Sequence, residues 1–228
     1  METPPVVLAS VAMPRPRSPK LPITEATLAD LLAPDGAEGL VFTGLDLQGH
    51  TLGARELTGC TFRACKLQET RWSASRLEDC RFERCDLTRM QPWGLRAHDI
   101  QFTDCKLMGI DWSGLGQFPR LAFAGCVLDF ASFVGLGLRK TAFIDCKIAE
   151  ANFFDCDLRD ADFAGSDLQS SIFRGCKLGK TDFSAATRVY FDPAINESRG
   201  AVIPIETAAL IAMQLGLHVA GFTAAAVP

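Results

Sequence analysis

The feature that most constrains this chain is a run of large apolar residues that recur at every fifth position. A period of five fits neither an α-helix, with about 3.6 residues per turn, nor a plain strand, with a period of 2. The backbone must therefore turn a corner after each five-residue unit, here called a pentad. The apolar residues, here called pentad centres, are Phe42, Leu47, Leu52, Leu57, Phe62, Leu67, Trp72, Leu77, Phe82, Leu87, Phe102, Leu107, Trp112, Phe123, Leu128, Phe133, Leu138, Phe143, Ile148, Phe153, Leu158, Phe163, Leu168, Phe173, Leu178 and Phe183.

All nine cysteines lie two residues before a pentad centre. Small residues such as Ala131, Ala151 and Ser166 occupy the same position in other pentads. This pattern predicts that the centre and the small residue both point into a narrow interior, where cysteine acts as a small hydrophobe. Disulfides or metal sites would need cysteines that converge in pairs or fours, so a single column favours structural packing.

The spacing of similar residues predicts a four-sided coil. Aromatic centres recur every ten residues through most of the chain, with Leu or Ile between them. Cys65, Cys85 and Cys105 are each one coil of four pentads apart, so like residues stack on like, as solenoids favour. About seven such coils, stacked at about 4.8 Å, make a rod roughly 35 Å long.

The stretches ANFFD, CDLRD, ADFAG and SDLQS resemble the A(N/D)LXX pattern of the pentapeptide-repeat family. The resemblance extends over residues 40–185 and implies an all-β fold, a right-handed quadrilateral β-helix. We expect a short N-terminal helix and a C-terminal helical cap at its ends. The predicted organisation is a flexible tail at 1–22, an N-terminal cap helix at 23–39, the pentapeptide-repeat β-helix at 40–192 and a C-terminal dimerisation cap at 193–228.

Two places break the rhythm. In residues 90–97 the pentad centres are Pro92 and Ala97, and the large residues Met90 and Leu95 stand two positions before them. Large and small residues therefore exchange positions in these two pentads. Between Trp112 and Phe118 the spacing is six, which predicts a bulge or a small outward loop. Irregularities of this kind can be structurally neutral, but in the resembled family such loops contact the partner. The candidate loop contacts are Trp93, Leu115 and Gln117.

Both ends contain a candidate helix. At the N-terminus, Thr24 is a predicted N-cap, with Ile23 and Leu28 as a hydrophobic staple. At the C-terminus, Ile205–Leu215 reads as a helix that is apolar on nearly every side, followed by a short strand at Leu217–Val219. A helix that is apolar all round is normally buried on both sides, so we expect a symmetric homodimer, with a monomer as the alternative. The predicted interface residues are Ile205, Leu210, Ile211, Met213, Leu215, Leu217 and Val219.

The C-terminal segment also resembles the quinolone-resistance (Qnr) and albicidin-resistance branch of the family. It shares an Asp-Pro turn, an apolar strand and a Leu-Gly-Leu ending, but it ends in LGLHVAGF where many relatives have a more acidic tail. The resemblance implies a rod-shaped dimer that binds DNA gyrase or topoisomerase IV and protects it from poisons by imitating DNA.

Charge along the repeat is nearly balanced, whereas duplex DNA carries about one negative charge per 1.7 Å of its axis. Imitation of DNA over the whole surface is therefore excluded. Sorting the charges by face predicts an acidic stripe along two adjacent faces of the C-terminal half. An ordinary solvated surface with a chance imbalance is the alternative. The stripe residues are Asp104, Asp129, Asp145, Glu150, Asp162, Asp167 and Asp182.

No phosphate-binding loop, dinucleotide fingerprint or metal-ligand spacing is present, and cysteines in apolar surroundings are poor nucleophiles. We therefore expect a protein that is not an enzyme and needs no cofactor. No secretory signal or membrane span is expected either, which favours the cytoplasm. Two functions stay open: a type II topoisomerase binder, which would not bind nucleic acid directly, and a structural or interaction module with an unrelated partner.

Overall fold

A computed structural model describes residues 24–33 and 36–222. The chain forms a four-sided β-solenoid of about seven coils, as the repeat predicts. Neighbouring coils pair in parallel and in register, so that Phe62 lies beside Phe82. The coil that joins Phe102 to Phe123 is one residue longer and keeps the same pairing.

Strands occupy three of the four faces, which we number by the order of their pentads, with face 1 containing Phe42. Face 1 is a seven-stranded sheet of β1 (Thr24–Ala26), β3 (Leu40–Thr43), β5 (Thr61–Arg63), β7 (Arg81–Glu83), β9 (Ile100–Thr103), β10 (Leu121–Ala124) and β12 (Ala142–Ile144). Face 3 contains β11 (Ser132–Val134), β13 (Asn152–Phe154) and β14 (Ile172–Arg174). Face 4 contains β2 (Ala37–Glu38), β4 (Glu56–Thr58), β6 (Arg76–Glu78) and β8 (Arg96–His98). Face 2 is held by single-residue bridges from Asp46 to Thr187.

The interior is built from two columns of stacked aromatic rings. On face 1 the rings stack from Phe42 to Phe183 with centroids 4.7–5.3 Å apart. On face 3 a second column runs from Trp112 to Phe173, and rings of the two columns meet edge to face. Both arrangements are favourable for aromatic pairs, so each coil aligns the next.

All nine cysteines are buried and unpaired. Eight of the thiols, Cys146 excepted, donate to a backbone carbonyl of the preceding coil, as Cys105 does to Phe82 at 3.3 Å. The prediction that the cysteines are packing residues rather than disulfide partners is confirmed.

The first interruption matches the predicted exchange of roles, because Met90 and Leu95 are buried. The second is the small outward loop that the spacing predicts, although Phe118 does not take the interior position. Residues Trp112–Gly114 form a 3-10 turn, Leu115 turns inward, and Phe118 points outward with 80% of its surface exposed. The extra residue lets the chain leave the wall after Leu115 and return at Leu121, so Phe118 is not a pentad centre.

The predicted N-terminal cap helix at 23–39 is wrong in most of its length. Thr24 begins the edge strand β1, and helix α1 is a single turn, Leu28–Leu31. Its N-cap is Thr27, which forms a reciprocal capping box with Asp30. Because residues 24–26 pair with β3, the strand ladder competes successfully with helix formation.

At the other end the solenoid continues further than predicted, because strand-like bridges reach Glu197 and Val202. Helix α2 (Ile205–Gln214) then follows Pro204, as expected. The predicted strand at Leu217–Val219 is wrong, since these residues form no strand pairing. The predicted flexible tail at 1–22 lies outside the described residues. In the described part of the chain, no helix is long and apolar enough to cross a bilayer.

Candidate partner-binding surface

Three exposed carboxylates stand at corners of the central coils of the solenoid. Asp104 and Asp145 occupy the corner after face 1, and Glu150 occupies the corner after face 2. Among the described residues none of the three forms an ion pair. We call Asp104, Asp145 and Glu150 the acidic patch.

Glycines of the next coil determine where the two aspartates of this patch point. Gly125 follows Asp104 and Gly165 follows Asp145 along the same corner. Each aspartate leans over its glycine so closely that a Cβ there would collide with the carboxylate Oδ1. The backbone at both aspartates is left-handed, with φ near 53°, a conformation that Asp tolerates better than most residues.

Two members of the predicted stripe are buried instead of displayed. Asp129 is 4% exposed: it accepts a 2.6 Å bond from Lys147 Nζ and a 2.9 Å bond from the Ala149 amide. Asp162 is 3% exposed and accepts a 2.9 Å bond from the amide of Ala164. These carboxylates satisfy backbone and lysine donors, so the prediction that they face a partner is wrong.

The last two members are only partly available. The guanidinium group of Arg188 forms an ion pair with Asp167 and compensates the charge of its carboxylate. Asp182 is half-buried and accepts a 2.8 Å bond from the Ser184 amide, without an ion pair in the described residues.

Face 2 carries a ladder of alternating charge rather than an acidic surface. Asp46, Lys66, Asp86 and Lys106 follow one another in register on successive coils. Lys66 pairs with Asp46 at 3.0 Å and Lys106 approaches Asp86 at 3.8 Å. Opposite charges facing each other across strands stabilise the sheet slightly and cancel the field of the face.

The acidic patch is much sparser than a nucleic acid. Asp104 and Asp145 are two coils apart, about 10 Å at the usual strand spacing. Duplex DNA has about one charge per 1.7 Å. One coil before Asp104, the same corner contains Arg84, so the acidic residues of this corner do not continue toward the N-terminus.

Helix α2 covers the last coil with one side only. Thr207 and Ala209 are buried, and Thr207 Oγ1 donates to the carbonyl of Val189 at 2.8 Å. Of the predicted interface residues, Leu210, Ile211 and Val219 are half-buried. The other four are exposed to solvent: Ile205, Met213, Leu215 and Leu217.

The candidate loop contacts also include both exposed and buried residues. Trp93 and Gln117 are exposed, whereas Leu115 is 6% exposed and cannot contact a partner. The most exposed aromatic residue, Phe118, was not predicted. A six-residue spacing shows that one residue is extra, but not which side chain is turned outward.

The interior thiols are all buried in the solenoid wall. Hydrogen bonding to Cys60 and burial raise the pKa of the Cys80 thiol, and contact with Cys126 together with burial raises the pKa of Cys146. In the described residues, no group of His, Cys, Asp or Glu could hold a metal ion.

A family model described as the pentapeptide repeat region matches residues 55–133 and 116–188, which is more than half of the chain. The chain belongs to the pentapeptide-repeat family. A search of curated protein sequences found no match.

Solved structures of the family share the architecture of this pentapeptide-repeat protein. Full-length QnrB1, a plasmid-mediated fluoroquinolone resistance protein, is 22% identical with a TM-score of 0.51, over 79% of this chain and 89% of its own. A trypsin-treated QnrB1 variant is 20% identical with a TM-score of 0.48, over 86% and 98%. HetL of the cyanobacterium Nostoc, involved in heterocyst differentiation regulation, is 15% identical with a TM-score of 0.28, over 73% and 86%. At 22% identity the likeness to full-length QnrB1 is one of fold alone.

Proposed function

We propose that this protein binds a type II topoisomerase, DNA gyrase or topoisomerase IV, and confers resistance to topoisomerase poisons without performing any chemistry. The observation that carries the proposal is the acidic patch of exposed carboxylates, which form no ion pair among the described residues, at corners of the central coils. Its sign suits a protein surface that evolved to hold DNA. The resemblance to the Qnr branch and the fold shared with QnrB1 support this choice of partner.

The patch acts as a partial imitation of DNA. Its charges are too far apart to replace a phosphate backbone, so most of the binding energy has to come from shape and from uncharged contacts. Charges at the edge of an interface mainly steer the encounter and select the partner. The proposed binding is therefore sensitive to salt.

We further propose a homodimer through α2. Ile205 and Leu215 are 80% and 72% exposed, and a second copy would cover both through a two-fold interface. Dimerisation at this end would join two C-terminal halves, so the acidic patches of both copies would lie on one elongated rod. Action in the cytoplasm, without a cofactor, follows from the nature of the proposed partner.

The test is a supercoiling assay with purified gyrase, and in parallel topoisomerase IV, with and without a fluoroquinolone. We expect the protein to protect or inhibit the enzyme at micromolar concentration. The triple variant D104K/D145K/E150K should need about tenfold more protein, because each reversed charge repels the partner where it previously attracted it.

The matched control is D155K. Asp155 is also exposed, has φ of 52° and leans over a glycine, Gly175, but it lies at the corner after face 3. D155K should behave as the wild type. Equal loss in both variants would overturn the role of the patch. No effect of the wild-type protein on either enzyme would overturn the topoisomerase proposal and favour an interaction module with an unrelated partner.

A further inference from the structure

A groove of about 450 Å³ opens on face 4, on the side of the solenoid away from face 2. It forms because the face-4 sheet ends at β8, where the chain of the next coil bulges outward as the loop 116–119. Ala97 stands at the centre of β8, where a leucine would be usual, so the wall also dips at this point. The groove is therefore a product of both interruptions of the repeat.

The groove has a positively charged wall. Arg76 on β6 and Arg96 on β8 are directly in register, and both line the groove. Glu78 approaches Arg76 at 3.5 Å, whereas Arg96 has no ion pair in the described residues. Like charges directly opposite each other across strands are destabilising, so this pair favours an anion between or beside the two guanidinium groups.

The opposite wall is apolar. Phe118 is 80% exposed, and its ring lies over Gly137 of the following coil, where a Cβ would collide with it. The backbone there is fixed, because the Gln117 carbonyl accepts a 2.7 Å bond from the Gly137 amide. Neighbouring Arg120 does not add charge, because Asp99 pairs with it at 2.8 Å.

We propose that this groove binds an acidic peptide segment of a protein partner, with carboxylates on Arg76 and Arg96 and an apolar side chain against Phe118. Guanidinium groups match carboxylates with paired hydrogen bonds. The proposal concerns a surface of opposite sign to the acidic patch and does not depend on the topoisomerase proposal.

A protein segment fits the groove better than a nucleic acid does. Phosphate backbones are bound by long basic tracks, which a groove with only Arg76 and Arg96 on its charged wall does not provide. Arg76 and Arg96 beside the exposed ring of Phe118 form a short site that can hold a few peptide side chains.

The experiment measures fluorescence anisotropy of a labelled, capped peptide Glu-Asp-Phe-Asp-Glu added to the full-length protein. A peptide with lysines in place of the acids and a five-nucleotide single-stranded DNA serve as competing probes. We expect saturable binding of the acidic peptide, weakened about tenfold by R96Q, the loss expected for one charged hydrogen-bonded contact. R76Q and F118S should also weaken it.

The matched control is R174Q, because Arg174 is an exposed arginine on face 3 without an ion pair among the described residues. It should bind as the wild type, and the thermal midpoint of R96Q should not fall. Absence of saturable binding by the acidic peptide, an unchanged affinity in R96Q, or tighter binding of the DNA that is lost in R96Q would each overturn the proposal.

Discussion

At the scale of single residues, the corners of the solenoid impose the strongest local demand. Most pentads end with a residue in the left-handed region, where residues other than glycine cost about 1 kcal/mol. Lys140 and Lys180 occupy such corners with φ of 58° and 59°. The interior contacts of each pentad require the turn, and their stabilisation outweighs this conformational cost.

Lys180→Gly should therefore stabilise the protein. Lys180 is exposed and has no ion pair in the described residues, so we expect the free energy of unfolding to rise by about 1 kcal/mol. The control is Lys177→Gly, an exposed position of strand-like backbone, where glycine should cost about 0.5–1 kcal/mol. Denaturant unfolding of the two variants measures both changes in the free energy of unfolding. A change in the same direction in both variants would contradict the claim that the left-handed corner favours glycine.

The buried thiols should be inert in the folded protein. All nine are buried in the solenoid wall, which excludes reagents, and burial in apolar surroundings disfavours the reactive thiolate. A thiol-reactive dye at pH 8 should label almost nothing in the native state and all nine cysteines in guanidinium. Rapid labelling of the native protein would show that the coils open locally.

At the scale of elements, helix α2 has an apolar side that no other described part of the chain covers. Ile205→Glu combined with Leu215→Glu should convert the proposed dimer to a monomer, because two charges cannot be buried in an apolar interface. Ile172→Glu is the control, since Ile172 is also exposed but lies on face 3. Sedimentation velocity distinguishes the outcomes, and a wild-type protein that is already monomeric would rule the dimer out.

Elements also show how far the repeat alone predicts this molecule. The period of five correctly predicts the coils, the aromatic columns and the burial of every cysteine. It fails where two local conformations have similar free energies. Thr24, for example, pairs in a strand rather than capping a helix. At the loop, spacing alone cannot distinguish an inward Phe118 from an outward one.

The candidate surface was predicted less well for a related reason. A carboxylate on an outward position can still fold back on its own wall, as Asp129 does toward Lys147. Such contacts depend on which residue lies beside the carboxylate on the next coil. That neighbour is known only when the register of the coils is known. Three of the seven stripe residues, Asp104, Asp145 and Glu150, remain exposed and free of ion pairs in the described residues.

At the scale of the whole molecule, each coil is stabilised only by its two neighbours. Phe143 stacks on Phe123 and Phe163 at 5.0 and 4.7 Å, so it connects three coils. Phe143→Ala should cost about 3–5 kcal/mol and shift the unfolding midpoint strongly. The outward Phe118→Ala should leave stability nearly unchanged, and a comparable loss in both variants would contradict the placement of Phe118.

The end of the face-4 sheet at β8 also affects how the rod responds to force. On face 1, β9 still pairs with β10, and on face 2 Lys106 still bridges Val127, so the wall is continuous there. On face 4 the strands end at β8, and parallel bridges resume only at Gly137, after the loop. Bending of the rod toward face 2 would stretch face 4 and widen the groove beside Arg96. A partner that bends the molecule in this sense would alter the groove without touching it.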